Sequence, residues 1–574
     1  MSEVILSAGV YQNETDQSIY TQAPPALGAA IVGPTVNGRP YVPAYVTTYS
    51  QYLSMFGDIF KSGSYYYEYF TSMAAKDYFQ NGGKSLLVTR IISGSANIST
   101  YATANVGAYG AVNPALTSSF QLEVLSWGAQ MNNTSSMSSG SLDSGSATNV
   151  RWEVTNVNTG SGTFTIVVRR GDDNQSQKNI LETWANVSLD PQLPNYISRV
   201  IGDIKPVYDV TNAFVNYTGS FKNASQYVRV SSITTPNVDS IDNNGNFKTS
   251  LYLNTLPAVG SGSYGGSFNG GVVDTTAQKL MNENITTTNI QGFSPNDYNT
   301  AFTLLTNKNE YSYNVLLAPG IGLDNASADD MIACVEARGD AFVPLDNGIF
   351  GTSVASATTN ASGQSSNYGA NYYPWVQLYS SNLGKVVWCP PTTVIGGVLA
   401  FNDQVGGEWF APAGLNRGGI PSVVKCERRL QKSDIDSLYS GNVNPVATFP
   451  RSGVVIWGQK TLQRKPTSLD RVNVRRLLIA LKEFIGEVAR NLVFEQNTTV
   501  TRNSFLSKVN PFLESVTQRQ GLYAYKVIMD DSNNTGDVID RNQLMGQIYI
   551  QPTKTAEFII LNYNLSPTGA EFPA

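Results

Sequence analysis

The 574-residue sequence contains no histidine. That absence removes Ser-His-Asp and Cys-His triads, and the commonest protein metal ligand, together. Cysteine is scarce: Cys334, Cys389 and Cys426 stand far apart with no CxxC pairing. They are expected as buried or incidental thiols, without a zinc site or a disulfide framework. Charge is sparse at 14% of residues, and no uncharged apolar run is long enough to span a bilayer. Met1–Val10 has neither a basic n-region nor a long apolar core, so no secretory leader is expected. Basic residues are missing before Arg39, whereas Glu3, Glu14 and Asp16 precede it. No motif singles out a carboxylate pair, and we assign no catalytic, cofactor-binding or metal-ligating residue.

What remains is a folding composition, 41% hydrophobic and 11% aromatic, in a chain too long for one compact core. A net charge of -5 argues against a generic nucleic-acid binder. Its distribution is uneven. Basic residues crowd the stretch from Arg417 to Lys482, where the acids are Glu427, Asp434, Asp436 and Asp470. After Lys554 only Glu557 and Glu571 carry charge, so both ends are acidic and the C-terminal domain is basic.

The patterning predicts an apolar strand over Leu27–Gly33, a short helix over Thr48–Gly57, a helix over Tyr65–Gln80 stopped by Asn81-Gly82-Gly83, and a strand over Leu86–Ile92. From Ser93 to about Thr300 the composition turns to Ser, Thr, Asn and Gly, with strand-like alternation at Phe120–Val124, Val150–Val154 and Phe164–Arg169. Trp184–Ile201 is expected to turn helical late. Gly260–Gly265 satisfies GxGxxG but lacks the preceding strand and following helix of a dinucleotide site, and is read as a loop. Tyr313–Gly320, Ala328–Gly339 and Ala341–Leu345 read as strand, helix and strand in a parallel crossover. The Arg338-Gly339-Asp340 triplet lies at the end of that helix, and a Ser/Asn-rich loop is expected over Gly351–Asn371.

The C-terminal third has the clearest period. Val474, Leu477, Leu478, Leu481, Phe484, Ile485, Val488 and Leu492 form one helical stripe, with Arg475, Arg476, Lys482, Glu483, Glu487 and Arg490 on the other face. A second helix fits Ser504–Thr517, kinked or started late by Pro511, and strands follow at Tyr523–Met529, Ile548–Ile550 and Phe558–Tyr563.

Five segments carry a family resemblance: WCPPTTVIGGVLAFNDQVGGEWFAPAG (Trp388–Gly414), GVVIWGQKTL (Gly453–Leu462), VNVRRLL (Val472–Leu478), VFEQN (Val493–Asn497) and AEFIIL (Ala556–Leu561). In this order and spacing they resemble the tail sheath proteins of contractile bacteriophages. The chain departs from the family pattern at Gln459-Lys460-Thr461 and at Ala400–Asp403.

The resemblance implies an α+β multidomain fold: an N-terminal arm (1–24), an α/β core domain (25–95 with 296–386), an outward-facing β-rich insertion (96–204), a C-terminal sheath domain facing a tube (387–550) and a C-terminal strand or arm (551–574); 205–295 matches no part of the family and is read as a further β-rich insertion. It implies hexameric rings stacked as a helical polymer around a tail tube, contracting to drive the tube through a host envelope. The implied partners are further copies, the tube protein, and baseplate and tail terminator proteins, with no direct nucleic-acid contact, membrane insertion or cofactor. The implied place is the virion, after assembly in a host cytoplasm. Val4, Ile5, Val10 and Tyr11 of the N-terminal arm, and Phe558, Ile559, Ile560 and Leu561 of the C-terminal arm, become candidate inter-subunit strands. Arg471, Arg475, Arg476 and Lys482 become candidates for facing an acidic tube. A phage-like bacteriocin or injection particle would use the same parts, and a β-rich surface adhesin is the alternative from another class.

Overall fold

A computed structural model describes residues 28–560, apart from 63–64, 93–102, 108–118, 126–136, 139–140, 143–144, 146, 148, 159, 210, 234–242, 245–255 and 265–284. The N-terminal arm candidates Val4, Ile5, Val10 and Tyr11, and Leu561 of the C-terminal one, lie outside the described residues.

Two four-stranded sheets organise the core. In the first, Val315–Leu317, Ala29–Gly33, Leu86–Arg90 and Ala44–Val46 lie side by side, parallel except for the last. In the second the order is Val343–Asp346, Gly369–Tyr373, Val443–Phe449 and Gly453–Ile456, again parallel up to the final hairpin. A parallel bridge between Val315 and Phe342 joins the two sheets edge to edge. The strand–helix–strand crossover read over 313–345 is the link: helix Ser327–Arg338 stops at Gly339, whose φ of 71° lets the chain turn back.

Helices cover this sheet because their ends are signalled and their faces apolar. Helix Tyr49–Phe56 starts at Thr48, whose side chain accepts from the Gln51 amide. Helix Pro295–Leu305 opens with a capping box between Ser294 and Asp297. Helix Thr392–Val405, from the VIGGVLAF run, packs where only glycine fits. A Cβ on Gly396 would sit 2.6 Å from Leu317 Cδ1, and one on Gly397 2.2 Å from Asp77 Oδ2.

Four expectations are corrected here. Tyr65–Glu68 is a strand paired with Ile59–Ser62, and the helix begins only at Phe70. Consecutive tyrosines favour a pleated surface, which outweighed the helical spacing. The Ser/Asn-rich stretch contains helix Val354–Ser362, because Ser353 caps it by accepting from the Ser356 amide. Gly260–Gly262 is a strand, paired with Trp152–Val154. Gly262 lies under the Trp152 ring, and Trp152 Nε1 donates to the Ser263 carbonyl at 3.3 Å.

The fourth correction concerns the two insertions, 96–204 and 205–295. Strand Val228–Ile233 pairs with Phe120–Val124, and one apolar core takes in Leu122, Phe164, Val187, Ile201, Val230 and Tyr264. Strands from both stretches therefore share one β-rich body, whereas the hairpin of Lys205–Asp209 and Phe214–Thr218 places Tyr208 and Val215 in the main core. Inside it Arg169, fully buried, donates to Asp173 at 2.6 Å and to Glu153 at 2.9 Å.

The main core continues past the expected domain boundary at 386/387, through Cys389, Ile395, Ile420, Val446 and Leu462 to Val472 and Ile479. A separate cluster begins beyond it. Helices Val472–Arg490 and Thr499–Gln518 pack together through Leu481, Phe505, Val509 and Leu513, with Phe484 and Phe512 stacked 3.9 Å apart. The second helix starts five residues earlier than expected and runs through Pro511. Strands Leu522–Ile528 and Gln547–Pro552 close the cluster as a hairpin.

Candidate assembly surface

Three features meet around the long helix Val472–Arg490: its basic residues, the hairpin edge and the tail after Pro552. The period assigned Arg475 and Arg476 to an outer face, but they are 3% and 2% exposed. The first turns of this helix are enclosed on all sides, because they sit between the C-terminal cluster and the core domain. Arg476 donates to both carboxylate oxygens of Asp403, at 2.8 and 2.6 Å. Arg475 lies over the Tyr368 ring, 4.0 Å from its centre, and donates to Asn367 Oδ1. These two side chains fasten the helix to its own subunit. The other two candidates are more open: Arg471 pairs with Glu557 at 2.7 Å and with Asp470 at 3.1 Å, and Lys482 is exposed beside the Tyr368 hydroxyl.

Behind Arg476 a cavity of about 420 Å³ separates the long helix from the core domain. Asp403, Glu408, Glu483 and Glu487 line it, with Lys84 and Arg519. Burial pushes Glu408 up to about 7; Arg476 opposes the rise and Asp403 adds to it. Glu483 is likewise raised to about 7 by burial and by the neighbouring carboxylates. Burial works to lower the Arg476 guanidinium, but the Asp403 and Glu408 carboxylates outweigh it and hold its pKa above the usual arginine value. Among the described residues no group of carboxylates and cysteines is arranged to hold a metal ion. The Arg338-Gly339-Asp340 triplet is not presented either, since Arg338 is buried against the Leu305 and Tyr311 carbonyls and over the Tyr313 ring.

Among the described residues the hairpin is a two-stranded sheet with unpaired outer edges. Along the Gln547–Pro552 strand runs an apolar channel of about 330 Å³, lined by Leu478, Leu481, Ile485 and Ala489 of the long helix and by Ile548 and Ile550. Beyond the hairpin the expected strand Phe558–Tyr563 is not formed within the chain as far as Ile560, and Phe558, Ile559 and Ile560 are 76%, 77% and 84% exposed. Among the described residues no strand pairs with them. Two participants escaped the sequence reading: Asp403, which lies 73 residues before its arginine, and Glu557, whose signal is its place as the one charge between Lys554 and Glu571.

Residues 291–462 match the phage tail sheath protein central domain, and residues 464–566 match the phage tail sheath C-terminal domain. Residues 291–566 belong to the contractile-phage tail sheath family. The tail sheath protein of Vibrio phage KVP40 is 40% identical over 185 residues, 32% of this chain and 28% of that one. The tail sheath protein of Enterobacteria phage T4 is 33% identical over 258 residues, 44% of this chain and 39% of that one. The chain thus aligns with well under half the length of either relative. A crystal structure of a sheath tail protein from Listeria innocua shares the fold, with a TM-score of 0.52 at 10% identity, over 93% of this chain and 96% of that one. The sheath-family division at 462/464 lies shortly before helix Val472–Arg490, which gives Val472 and Ile479 to the main core and Leu477, Leu481 and Val488 to the helical cluster.

Proposed function

We propose that the protein is the structural subunit of a contractile tail sheath. Copies stack as rings of six around a tail tube and form a helical polymer that passes from an extended to a contracted state, driving the tube through the host envelope. The energy is that of a metastable packing released cooperatively along the polymer, so no bound nucleotide is required. The partners are further copies, the tube protein, and baseplate and terminator proteins, and the assembled protein resides in the virion after assembly in the host cytoplasm.

The observation that carries this reading is the unfinished hairpin. Two strands alone are marginal in water, and an open edge is a template for another chain. The channel beside Ile548 and Ile550 offers an apolar seat for alternate side chains of an added strand. Strands from the N-terminal arm (Val4, Ile5, Val10, Tyr11) and the C-terminal arm (Phe558–Leu561) of neighbouring copies are the proposed additions. On the tube side, Lys482 and Arg471 are the members of the basic set left to face an acidic surface, with Arg475 and Arg476 acting through the position of the helix.

Negative-stain electron microscopy of the purified protein, alone and with its particle's tube, tests the proposal. Hollow striated cylinders are the expected result. Dispersed monomers under all conditions, tube included, would reject it in favour of a surface adhesin.

A further inference from the structure

The tail does not leave the subunit directly after the hairpin. Thr553 donates through its hydroxyl to the Gln520 carbonyl at 2.8 Å, and Thr555 Oγ1 accepts from Gln459 Nε2 at 2.6 Å. Glu557 is then gripped from three separate places in the fold. Arg471, at the start of the long helix, donates Nε to Oε1 at 2.7 Å; Gln459, after strand Gly453–Ile456, donates to the same oxygen at 3.0 Å; and the Tyr439 hydroxyl, from helix Lys432–Ser440, donates to Oε2. The Phe558 ring meets the Tyr439 ring edge-on at 6.1 Å. Burial works to raise the Glu557 carboxyl, yet the hydrogen bonds from Arg471, Tyr439 and Gln459 hold it below the usual carboxylate range. One residue later the contacts end, and Ile559 and Ile560 stand in solvent.

We propose that Glu557 is the anchor of the C-terminal arm, fixing in its own subunit the point from which Phe558–Ile560 reach the sheet of a second copy. This rests on the arm reading above and adds to it a positioning residue and a reason for one. A strand added to a half-buried sheet must enter in register, since a slip of one residue exchanges its two faces. Alternating sequences set their own register. Phe558-Ile559-Ile560-Leu561 does not alternate, so its pattern alone leaves the two faces equivalent. A charged, several-fold hydrogen-bonded residue immediately before the run supplies the missing reference, and bonds to an ionised carboxylate are the strong class suited to it. The anchor is also built entirely from residues of the same chain, so it is in place before any neighbour arrives.

The test uses the full chain with Glu557→Ala, beside a chain ending at Glu557. In the unassembled alanine variant, trypsin cleavage after the exposed Lys554 should quicken at least tenfold while the melting temperature stays that of the native subunit. Its yield of cylinders should fall at least tenfold, and Glu557→Gln, which keeps the shape and one acceptor oxygen but not the charge, should recover part of the loss. Native-like cleavage after Lys554, or cylinders at native yield, would overturn the anchor. The truncated chain separates this from the arm reading. If it cannot polymerise while Glu557→Ala polymerises normally, the anchor alone fails; if it forms normal cylinders, both fail.

Discussion

Arg476 is the residue on which the placement of the long helix depends. A guanidinium enclosed in protein is tolerated because Asp403 meets it with two parallel hydrogen bonds, a geometry that lysine cannot reproduce. Removing one partner of such a pair leaves a buried charge without compensation, which typically costs ~3–5 kcal/mol. Arg476→Ala should therefore cost about 3 kcal/mol of stability, near the lower figure since Asp403 keeps some access to water, and urea unfolding should show it as a lowered midpoint at unchanged slope. Arg475→Glu with Arg476→Glu should leave little folded subunit, as circular dichroism would register. Lys482→Glu belongs to a different class. Its side chain is exposed, so the subunit should melt as the native one does, and any loss should appear only in salt-dependent assembly on tubes. Unchanged assembly of that variant would remove Lys482 from the tube contact.

At the scale of elements, the long helix meets the core domain across a cavity whose acids are crowded. Glu408 accepts from Asn314 Nδ2 at 3.1 Å and faces Asp403, Arg476, Glu483 and Glu487. Because its folded-state pKa is raised to about 7, the folded chain keeps a proton that the unfolded chain has already released at pH 5–6. Its contribution to stability is fully present below the ordinary carboxylate range and is lost as pH rises through about 7. Unfolding midpoints of the native chain should fall from pH 5.5 to pH 8, and Glu408→Gln should flatten that slope; equal slopes would show that the cavity does not hold the proton. This joint also marks what could be read from the sequence. Both long helices were legible because eight apolar positions keep one period through the first and Phe505, Val509 and Leu513 keep it through the second. Their surroundings were not. Periodicity assigns every charge to solvent, and nothing local to Arg476 tells that Asp403 waits on another helix. The Gly260–Gly262 strand was hidden for the opposite reason: its side chains carry no pattern, and its seat is made by Trp152 more than a hundred residues earlier.

For the whole molecule, the two chain ends set the question, because under the proposed function the sleeve must stay connected while it contracts. Flexible links that carry strands into neighbours meet that need, whereas rigid surface patches would have to break and re-form. Ordering an arm of about twenty residues costs roughly 1–2 kcal/mol of backbone entropy per residue. That cost is met only when the arm finds a sheet, which makes ordering and assembly one event. The described members of the main core begin at Ala29 and finish at Ile479. Deleting Met1–Gln22, or everything after Pro552, should therefore leave a subunit that elutes as a soluble monomer with a native melting curve and yet forms no cylinders. Size-exclusion chromatography coupled to light scattering, followed by electron microscopy of the same fractions, reads both halves of that expectation. The two deletions should behave alike, since each removes one of the two additions on which a continuous mesh depends. A truncated chain that still builds cylinders of normal length would show that the rings are held by surfaces on the folded body, and the arms would lose their part in the polymer.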